Sequence, residues 1–172
     1  NISNSYKNIL CIIMTKNIYK YEKERREEID ELIKLNEVWE RRNFARQDDN
    51  IQEIYGISDI VVFPYVTLFS VMDTPLSLLE AMAMGNPLNY SDCFAINAVI
   101  SPLENGLLVE PNDEVELAET VINLLENPIL RKNLSDNARN VITKKHDIKI
   151  ISFKLENLYK RLIHGGITLW KI

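Results

Sequence analysis

The sequence has few of the residues that make up several common kinds of catalytic site. Among 172 residues there are two cysteines, two histidines and five glycines. Cys11 and Cys93 form neither a disulfide framework nor a metal-ligand cluster, and we interpret them as small, reduced, buried residues. His146 and His164 lie among basic residues without metal-ligand spacing or a nearby nucleophile, so we expect no metal site and no hydrolase triad.

Long apolar segments are absent as well. The longest uninterrupted apolar run falls far short of the ~20 residues that span a bilayer, so the sequence predicts no transmembrane helix. We expect a cytoplasmic protein whose contact with a membrane is at most peripheral, through the basic C-terminal helix and the tail at 165–172.

Positive charge is missing from the middle of the chain. No lysine or arginine occurs between Arg46 and Arg131. From Lys144 onward there are seven basic and two acidic residues, a balance of +5, which leaves −10 for the rest of a chain whose total is −5. A long stretch of carboxylates without cations does not bind a phosphate backbone, so we expect no nucleic-acid partner.

What the sequence does contain is an alternation of short apolar runs with helical patterns. Strands are predicted at 9–14 (buried on both faces), 38–44, 59–64, 88–90 and 106–109. Helices are predicted at 19–35, from a cap at Asp48 or Asp49 to Ile57, and at 75–84, 93–100, 114–126, 128–143 and 147–163. This alternation indicates βαβ units, that is, an α/β, Rossmann-like parallel sheet with helices on both faces. We expect one domain at 1–164, followed by the tail.

The helix at 75–84 has recognisable ends, with two alternative starts. In the first, Thr74 or Asp73 is the N-cap, and Pro75 takes the first helical position. In the second, Ser77 and Glu80 form a capping box, and the helix begins one residue after Ser77. At the other end, Gly85 fits the left-handed position that terminates a helix, and a proline two residues later prevents continuation.

The amino end of this helix is a candidate anion site. Either start leaves backbone N–H groups at Leu76, Ser77 and Leu78 at the positive end of the helix dipole, directly after a parallel strand, where open α/β sheets bind phosphates. No glycine-rich loop of the dinucleotide or Walker type precedes it. From the spacing, we expect Leu76, Leu79 and Ala83 to pack on the sheet and leave Ser77 on a more open side, together with a carboxylate one turn later.

Several segments together resemble a known family. The run 75–83 (Pro-Leu-Ser-Leu-Leu-Glu-Ala-Met-Ala), then Gly85-x-Pro87 and Ser91-Asp92, resembles the signature of the group 1 (family 4) retaining glycosyltransferases of the GT-B fold. The likeness continues through 104–111 (Glu-Asn-Gly-Leu-Leu-Val-Glu-Pro) and upstream through 54–64. It implies that the chain is one half of a GT-B fold, the C-terminal domain that binds the donor.

The resemblance also implies roles for individual residues. In this family the C-terminal domain binds a nucleotide-diphosphate sugar, whose sugar is transferred to an acceptor, and no metal or further cofactor is implied. The carboxylate at Glu80 is implied to accept hydrogen bonds from the ribose hydroxyls. The backbone at Leu76, Ser77 and Leu78 is implied to hold the diphosphate. For Glu80, a structural role in the capping box and a solvated carboxylate stay open as alternatives.

The chain departs from the family signature at several positions. The signature has a second glutamate that contacts the donor sugar, and this chain has Met72 there. The adjacent Asp73 is the candidate catalytic carboxylate in its place, with a helix cap or turn as the alternative role. Ala98 also stands where a glutamate is common.

Larger parts of the family pattern have no counterpart in this sequence. These are the first strand with its glycine-rich loop, the arginine and lysine that hold the diphosphate, and the acceptor-binding N-terminal domain. Two hypotheses follow: a donor-binding domain completed by a separate N-terminal domain, or a degenerate, non-catalytic binding or assembly module. A sheet edge left without its first strand also predicts self-association, so a homo-oligomer is expected.

Overall fold

A computed structural model of the chain describes residues 6, 8–14, 22–35, 42–45, 50–65, 75–91 and 99–164. In chain order the elements are β1 (Cys11–Met14), α1 (Glu22–Leu35), β2 (Arg42–Ala45), α2 (Ile51–Ile57), β3 (Val61–Phe63), α3 (Leu76–Met84), β4 (Leu88–Ser91), β5 (Leu107–Val109), α4 (Glu114–Glu126), α5 (Pro128–Lys145) and α6 (Ile148–His164). In these ranges strands and helices alternate from β1 to β4, as the apolar pattern predicts; β5 is the next described element, and three consecutive helices follow it.

All the strand pairings in the described residues are parallel. β1 pairs with β2, and β4 lies between β3 and β5 in a three-stranded sheet. Parallel neighbours need a crossover, and α1 and α3 lie in the crossovers from β1 to β2 and from β3 to β4. The predicted α/β class with a parallel sheet is confirmed.

The three-stranded sheet carries helices on both faces. Tyr90 of β4 is paired in register with Phe63 and Leu108, and these three side chains pack in the core that α3 and α5 complete. The preceding residue, Asn89, points to the opposite face, where its Nδ2 donates to Thr120 Oγ1 of α4. The predicted covering of both faces is therefore confirmed for β3 to β5.

β1 differs from its prediction. Cys11, Ile12 and Ile13 are half-buried, and Met14 is 36% exposed, so this strand is not buried on both faces. A run of apolar residues indicates that a strand tends to be buried, but other elements must cover its two faces. Among the described residues, the main contact of β1 is with its neighbouring strand, β2. Cys11 is a free thiol whose pKa is raised by burial, in keeping with a reduced, unreactive residue, whereas Cys93 lies outside the described residues.

Side chains cap α4 and α5, whereas the predicted cap of α2 is wrong. Asp113 caps α4 by accepting from the Glu116 amide at 2.8 Å, and Asn127 caps α5, which begins at Pro128. For α2, the residue before the helix is Asn50 and not Asp48 or Asp49. The helix predicted at 93–100 lies mostly outside the described residues, and its last two residues, which are described, are buried and not helical.

The last helix, α6, leaves its apolar side exposed. Ile148, Ile151, Leu155, Leu158 and Leu162 follow one another at spacings of three and four, and each is exposed. Ile150 and Asn157, which are half-buried, lie on the other side of the helix. Across the described ranges, no helix is both long and apolar enough to cross a membrane. The tail at 165–172 lies outside those ranges.

The segment before β5 shows why part of the family-like motif is structural. Asn105 is buried, and its side chain accepts from Ser101 N at 2.8 Å and donates to Val99 O at 3.2 Å. Gly106 lies against the Tyr90 ring, because a Cβ at this position would be 2.9 Å from Tyr90 Cε1 and 3.3 Å from Ile100 Cγ2. Asn105 and Gly106 therefore hold the turn into β5 against the core.

We predict that Gly106→Ala lowers the free energy of unfolding by about 1–3 kcal/mol, the usual cost of forcing an extra methyl group into a packed core. Gly56→Ala is the matched control, since its Cβ would meet only Met84 Cε at 3.6 Å, and alanine favours a helix over glycine. Urea denaturation of both variants measures the difference. Equal stability of the two variants would contradict the close packing of Gly106 on Tyr90.

Candidate functional site

The candidate site lies where β3 ends and α3 begins. Two residues after β3, Tyr65 stacks on Phe63 with ring centroids 5.8 Å apart, and its amide donates to Phe63 O at 2.9 Å. The chain between 66 and 74 lies outside the described residues, and α3 then starts at Leu76. In parallel α/β sheets this edge, at the carboxyl ends of the strands, is where ligands bind.

The first turn of α3 differs from both predicted starts. Pro75 is the N-cap itself, with φ −62° and ψ 132°, and its carbonyl accepts from the amides of Leu78 at 3.1 Å and Leu79 at 3.3 Å. The helix therefore begins one residue after Pro75, and neither Thr74 nor Asp73 is the N-cap. The capping-box start is also wrong, because Ser77 is already inside the helix. Proline sets φ near −65° but leaves ψ free, so it can stand just outside a helix as well as at its first position.

This start leaves two of the three predicted amides open. The N–H groups of Leu76 and Ser77 have no partner among the described residues, whereas the N–H of Leu78 donates to Pro75 O. Two amides at the positive end of the helix dipole can donate to an anion. At the other end, Gly85 has the expected left-handed conformation, with φ 78°, and its amide donates to Met82 O at 3.0 Å.

The buried side of α3 is not the one predicted from spacing. Leu78, Ala81 and Met82 are fully buried, whereas Leu76 is 75% exposed. The helix is apolar nearly all round, so periodicity alone does not select the side that faces the core. The expected partial exposure near Ser77 is confirmed, since Ser77 is half-buried and Glu80, one turn later, is exposed. Leu79 is half-buried and packs against the core as predicted, whereas Ala83 is exposed, so the predicted apolar stripe is wrong at Leu76 and Ala83.

Tyr55 of α2 is part of this site, although sequence reasoning assigned it no role. Its hydroxyl donates to Ser77 O at 3.1 Å, across 22 positions of sequence, and its ring is 4% exposed. Burial, together with the charge of Glu80 and the nearby Tyr65, raises the pKa of Tyr55 to about 12. The hydroxyl therefore stays protonated at neutral pH. The sequence feature that could have pointed to Tyr55 is its position in the 54–64 segment that resembles the family.

Asn86 ties the same two helices together at the other end of α3. It is buried, and its Nδ2 donates to Tyr55 O and to Ser58 O, each at 2.9 Å. These two carbonyls are at the carboxyl end of α2, where no further turn of helix donates to them. The amide of Ser58 also donates to Tyr55 O, at 3.2 Å. α2 and α3 are thus joined by Tyr55 near the first turn of α3 and by Asn86 just after its last turn.

The first cations after the cation-free stretch act elsewhere. Arg131 donates from Nη1 to Leu124 O and Leu125 O, both at 2.8 Å, and so closes the carboxyl end of α4. Arg139 lies beside Gly85, with its Cδ 3.9 Å from the position that a Cβ there would take. Arg139 is therefore at the carboxyl end of α3, away from the open amides.

The structure thus brings together four of the five residues singled out from the sequence, Leu76, Ser77, Leu78 and Glu80, and adds Tyr55 and Tyr65 around them. Asp73, the candidate catalytic carboxylate, lies outside the described residues. Within those residues, no group of three or more histidine, cysteine, aspartate or glutamate side chains is arranged to hold a metal ion.

With this geometry in hand, comparison with known proteins defines the class. Residues 2–141 match the family described as glycosyl transferases group 1. The match covers well over half of the chain, so the chain belongs to the group 1 glycosyltransferases. The resemblance noted from the motifs is therefore confirmed.

Individual relatives are similar over much of this chain but are much longer. The chain is 36% identical over 120 residues to N,N'-diacetylbacillosaminyl-diphospho-undecaprenol alpha-1,3-N-acetylgalactosaminyltransferase of Campylobacter jejuni, covering 69% of this chain and 30% of the relative. It is 29% identical over 129 residues to N-acetyl-alpha-D-glucosaminyl L-malate synthase of Bacillus anthracis, which covers 75% of this chain and 33% of the relative. The chain spans about a third of the length of these relatives.

Among solved structures, Anabaena Alr3699/HepE in complex with UDP superposes with a TM-score of 0.80 at 18% identity. The superposition covers 92% of this chain and 43% of that one. At this identity the likeness establishes the fold alone, which is the Rossmann-like half of a GT-B glycosyltransferase.

We predict that Tyr55 ionises in a step near pH 12, because its neutral hydroxyl is stabilised in the folded state. A tyrosine in an unfolded chain ionises near pH 10, so the contribution of Tyr55 to stability is complete below about pH 10 and is lost as the pH rises through about 12. Tyrosinate absorbance follows the step. Tyr55→Phe should abolish it, and Tyr159→Phe, which removes an exposed tyrosine, should leave it in place; a step that survives Tyr55→Phe contradicts the assignment.

Proposed function

We propose that this chain is the donor-binding domain of a retaining glycosyltransferase, which binds a nucleotide-diphosphate sugar at the amino end of α3. One observation carries the proposal: two amides without a partner among the described residues, those of Leu76 and Ser77, and the exposed carboxylate of Glu80 lie on consecutive turns of one helix, next to the end of β3. Membership of the family supplies the class of ligand. The UDP bound to the similar Anabaena protein supports a nucleotide as part of it.

The chemistry of the two groups suits the two parts of such a ligand. Amides at a helix start donate to phosphate oxygens, and a carboxylate accepts from the two neighbouring hydroxyls of a ribose. Ser77 and Glu80 are three residues apart, a rise of about 4.5 Å along the helix, which places the two functions side by side. The diphosphate would therefore bind at Leu76 and Ser77, with the ribose towards Glu80.

The proposed reaction depends on stabilising the leaving diphosphate. Hydrogen-bond donors that are already oriented stabilise the charge that develops as the bond between sugar and phosphate breaks. The helix dipole contributes at most about 2 kcal/mol towards a bound anion. Direct charge-assisted contacts contribute about 1.5–3 kcal/mol each. We therefore expect weak donor binding by this domain alone, with the missing cations supplied by the part of the enzyme that lies outside this chain.

Acceptor selection is proposed to lie outside this chain too. The two curated relatives described above are named for different acceptors, L-malate and a sugar linked to diphospho-undecaprenol. They match 75% and 69% of this chain, over 33% and 30% of their own length. A donor-binding domain of one type, joined to acceptor-binding domains of different types, explains why relatives with different acceptors both match this chain.

We predict that Glu80→Ala lowers the affinity for the preferred nucleoside diphosphate by about 10- to 100-fold, the loss of hydrogen bonds to a charged acceptor. Calorimetric titration with UDP, GDP and ADP, and with their sugars, measures the affinities of wild type and variant. Glu119→Ala, which removes an exposed carboxylate of α4, is the control and should bind as wild type does.

Two results would count against this assignment. Unchanged affinity in Glu80→Ala would remove Glu80 from the ribose role. Failure of a folded wild-type sample to bind any of the nucleotides at millimolar concentration would favour the second hypothesis, a degenerate, non-catalytic binding or assembly module.

For Asp73 we predict a contact with the sugar and not with the nucleotide. Asp73→Asn should leave the affinity for the nucleoside diphosphate unchanged but lower that for the corresponding nucleotide sugar by about three- to tenfold, because a neutral hydrogen bond replaces a charge-assisted one. The control is Asp59→Asn, which changes an exposed carboxylate before β3. An equal effect of Asp73→Asn on both ligands would contradict a sugar contact.

A further inference from the structure

The first turn of α3 lacks the side-chain bond that commonly stabilises a helix start. Its N-cap is Pro75, whose side chain makes no capping hydrogen bond. Serine, threonine, aspartate or asparagine at this position would hold an amide of the first turn. Among the residues that the structure describes, the first turn is held by its own backbone bonds to Pro75 O and by contacts from other elements.

Tyr55 supplies such a contact from a different helix. Its hydroxyl donates to Ser77 O, a carbonyl of the first turn with a second lone pair free for a partner outside the helix. The tyrosine is itself fixed from both sides, since its ring is buried in the core and its carbonyl accepts from Asn86 Nδ2 at 2.9 Å. A rigid donor therefore holds Ser77 O.

Fixing this carbonyl also fixes the peptide groups beside it. The peptide unit is planar, so the direction of Ser77 O sets the plane that Ser77 shares with Leu78. The open N–H groups of Leu76 and Ser77 belong to the two preceding planes of the same turn. An anion that receives both amides needs them to point to one place, and a frayed first turn would not keep them there.

We propose that Tyr55 is a positioning residue for the diphosphate: its hydroxyl holds the first turn of α3 so that the amides of Leu76 and Ser77 converge on one anion. This rests on the proposed function for the identity of the anion. Tyr55 is 4% exposed and acts on the ligand through Ser77 O, in the first turn of α3. Its effect is therefore on the phosphate part of the ligand and not on the nucleoside.

The test compares two probes in wild type and in Tyr55→Phe, which removes the hydroxyl but keeps the ring in the core. The probes are the nucleoside diphosphate that binds wild type most tightly and the nucleoside that lacks its phosphates. Loss of one neutral hydrogen bond should lower the affinity for the diphosphate by about two- to tenfold, and affinity for the nucleoside should not change. Tyr159→Phe is the matched control, and both probes should bind it as they bind wild type.

A general structural role would give a different pattern. If Tyr55→Phe weakens both probes by the same factor, the hydroxyl acts on the whole domain, and the positioning role is overturned. If neither probe is weakened, it is overturned as well. The ratio of the two affinities is thus the deciding quantity.

A second measurement separates this inference from the proposed function. Amide hydrogen exchange of the ligand-free protein reports how firmly each turn of α3 is held. Tyr55→Phe should speed exchange at Leu78 and Glu80, in the first half of α3, and leave Gly85 at the other end unchanged. If wild type binds no nucleotide, the proposed function fails, but faster exchange confined to the first half still supports the role of Tyr55. Unaltered exchange there overturns it.

Discussion

Leu78, Ala81 and Met82 of α3 are fully buried against β4 and α5, and this packing orients the helix that carries the candidate site. Each large apolar side chain of this kind contributes about 1.5–3 kcal/mol on burial. With that side of α3 turned inward, Glu80 and the first turn face solvent at the end of β3. The burial of one side of α3 thus leaves the side that carries the candidate site accessible to solvent.

The family-like motifs serve two separate purposes in this fold. Gly85, Asn105 and Gly106 are structural, since they end α3, satisfy buried carbonyl and amide groups, and give the Tyr90 ring room. Other residues of the motif, Leu76, Ser77 and Glu80, lie at least partly exposed, where a ligand can reach them. A motif match by itself does not separate these groups, because both kinds of residue are needed for the same site to form.

Sequence reasoning was accurate where the signal is local. The types of the described elements, the start of α5 at Pro128 and the left-handed Gly85 follow from backbone conformation and nearby hydrogen bonds. It was wrong about the inward side of α3 and the burial of β1. These depend on which other elements cover a segment, and an apolar pattern that runs all round a helix or along a strand does not carry that information.

The sequence by itself determined the parallel α/β class, the family, and the helix whose amino end carries the candidate site, because short-range patterns encode each of them. Only the tertiary structure decided that Tyr55 and Asn86 join α2 to α3. It also decided that, within the described ranges, the Leu78 amide has a partner and those of Leu76 and Ser77 have none. The physical reason is distance along the chain. A hydrogen bond between residues 22 or 31 positions apart exists only once the packing of β3, α3 and α5 has brought their elements together.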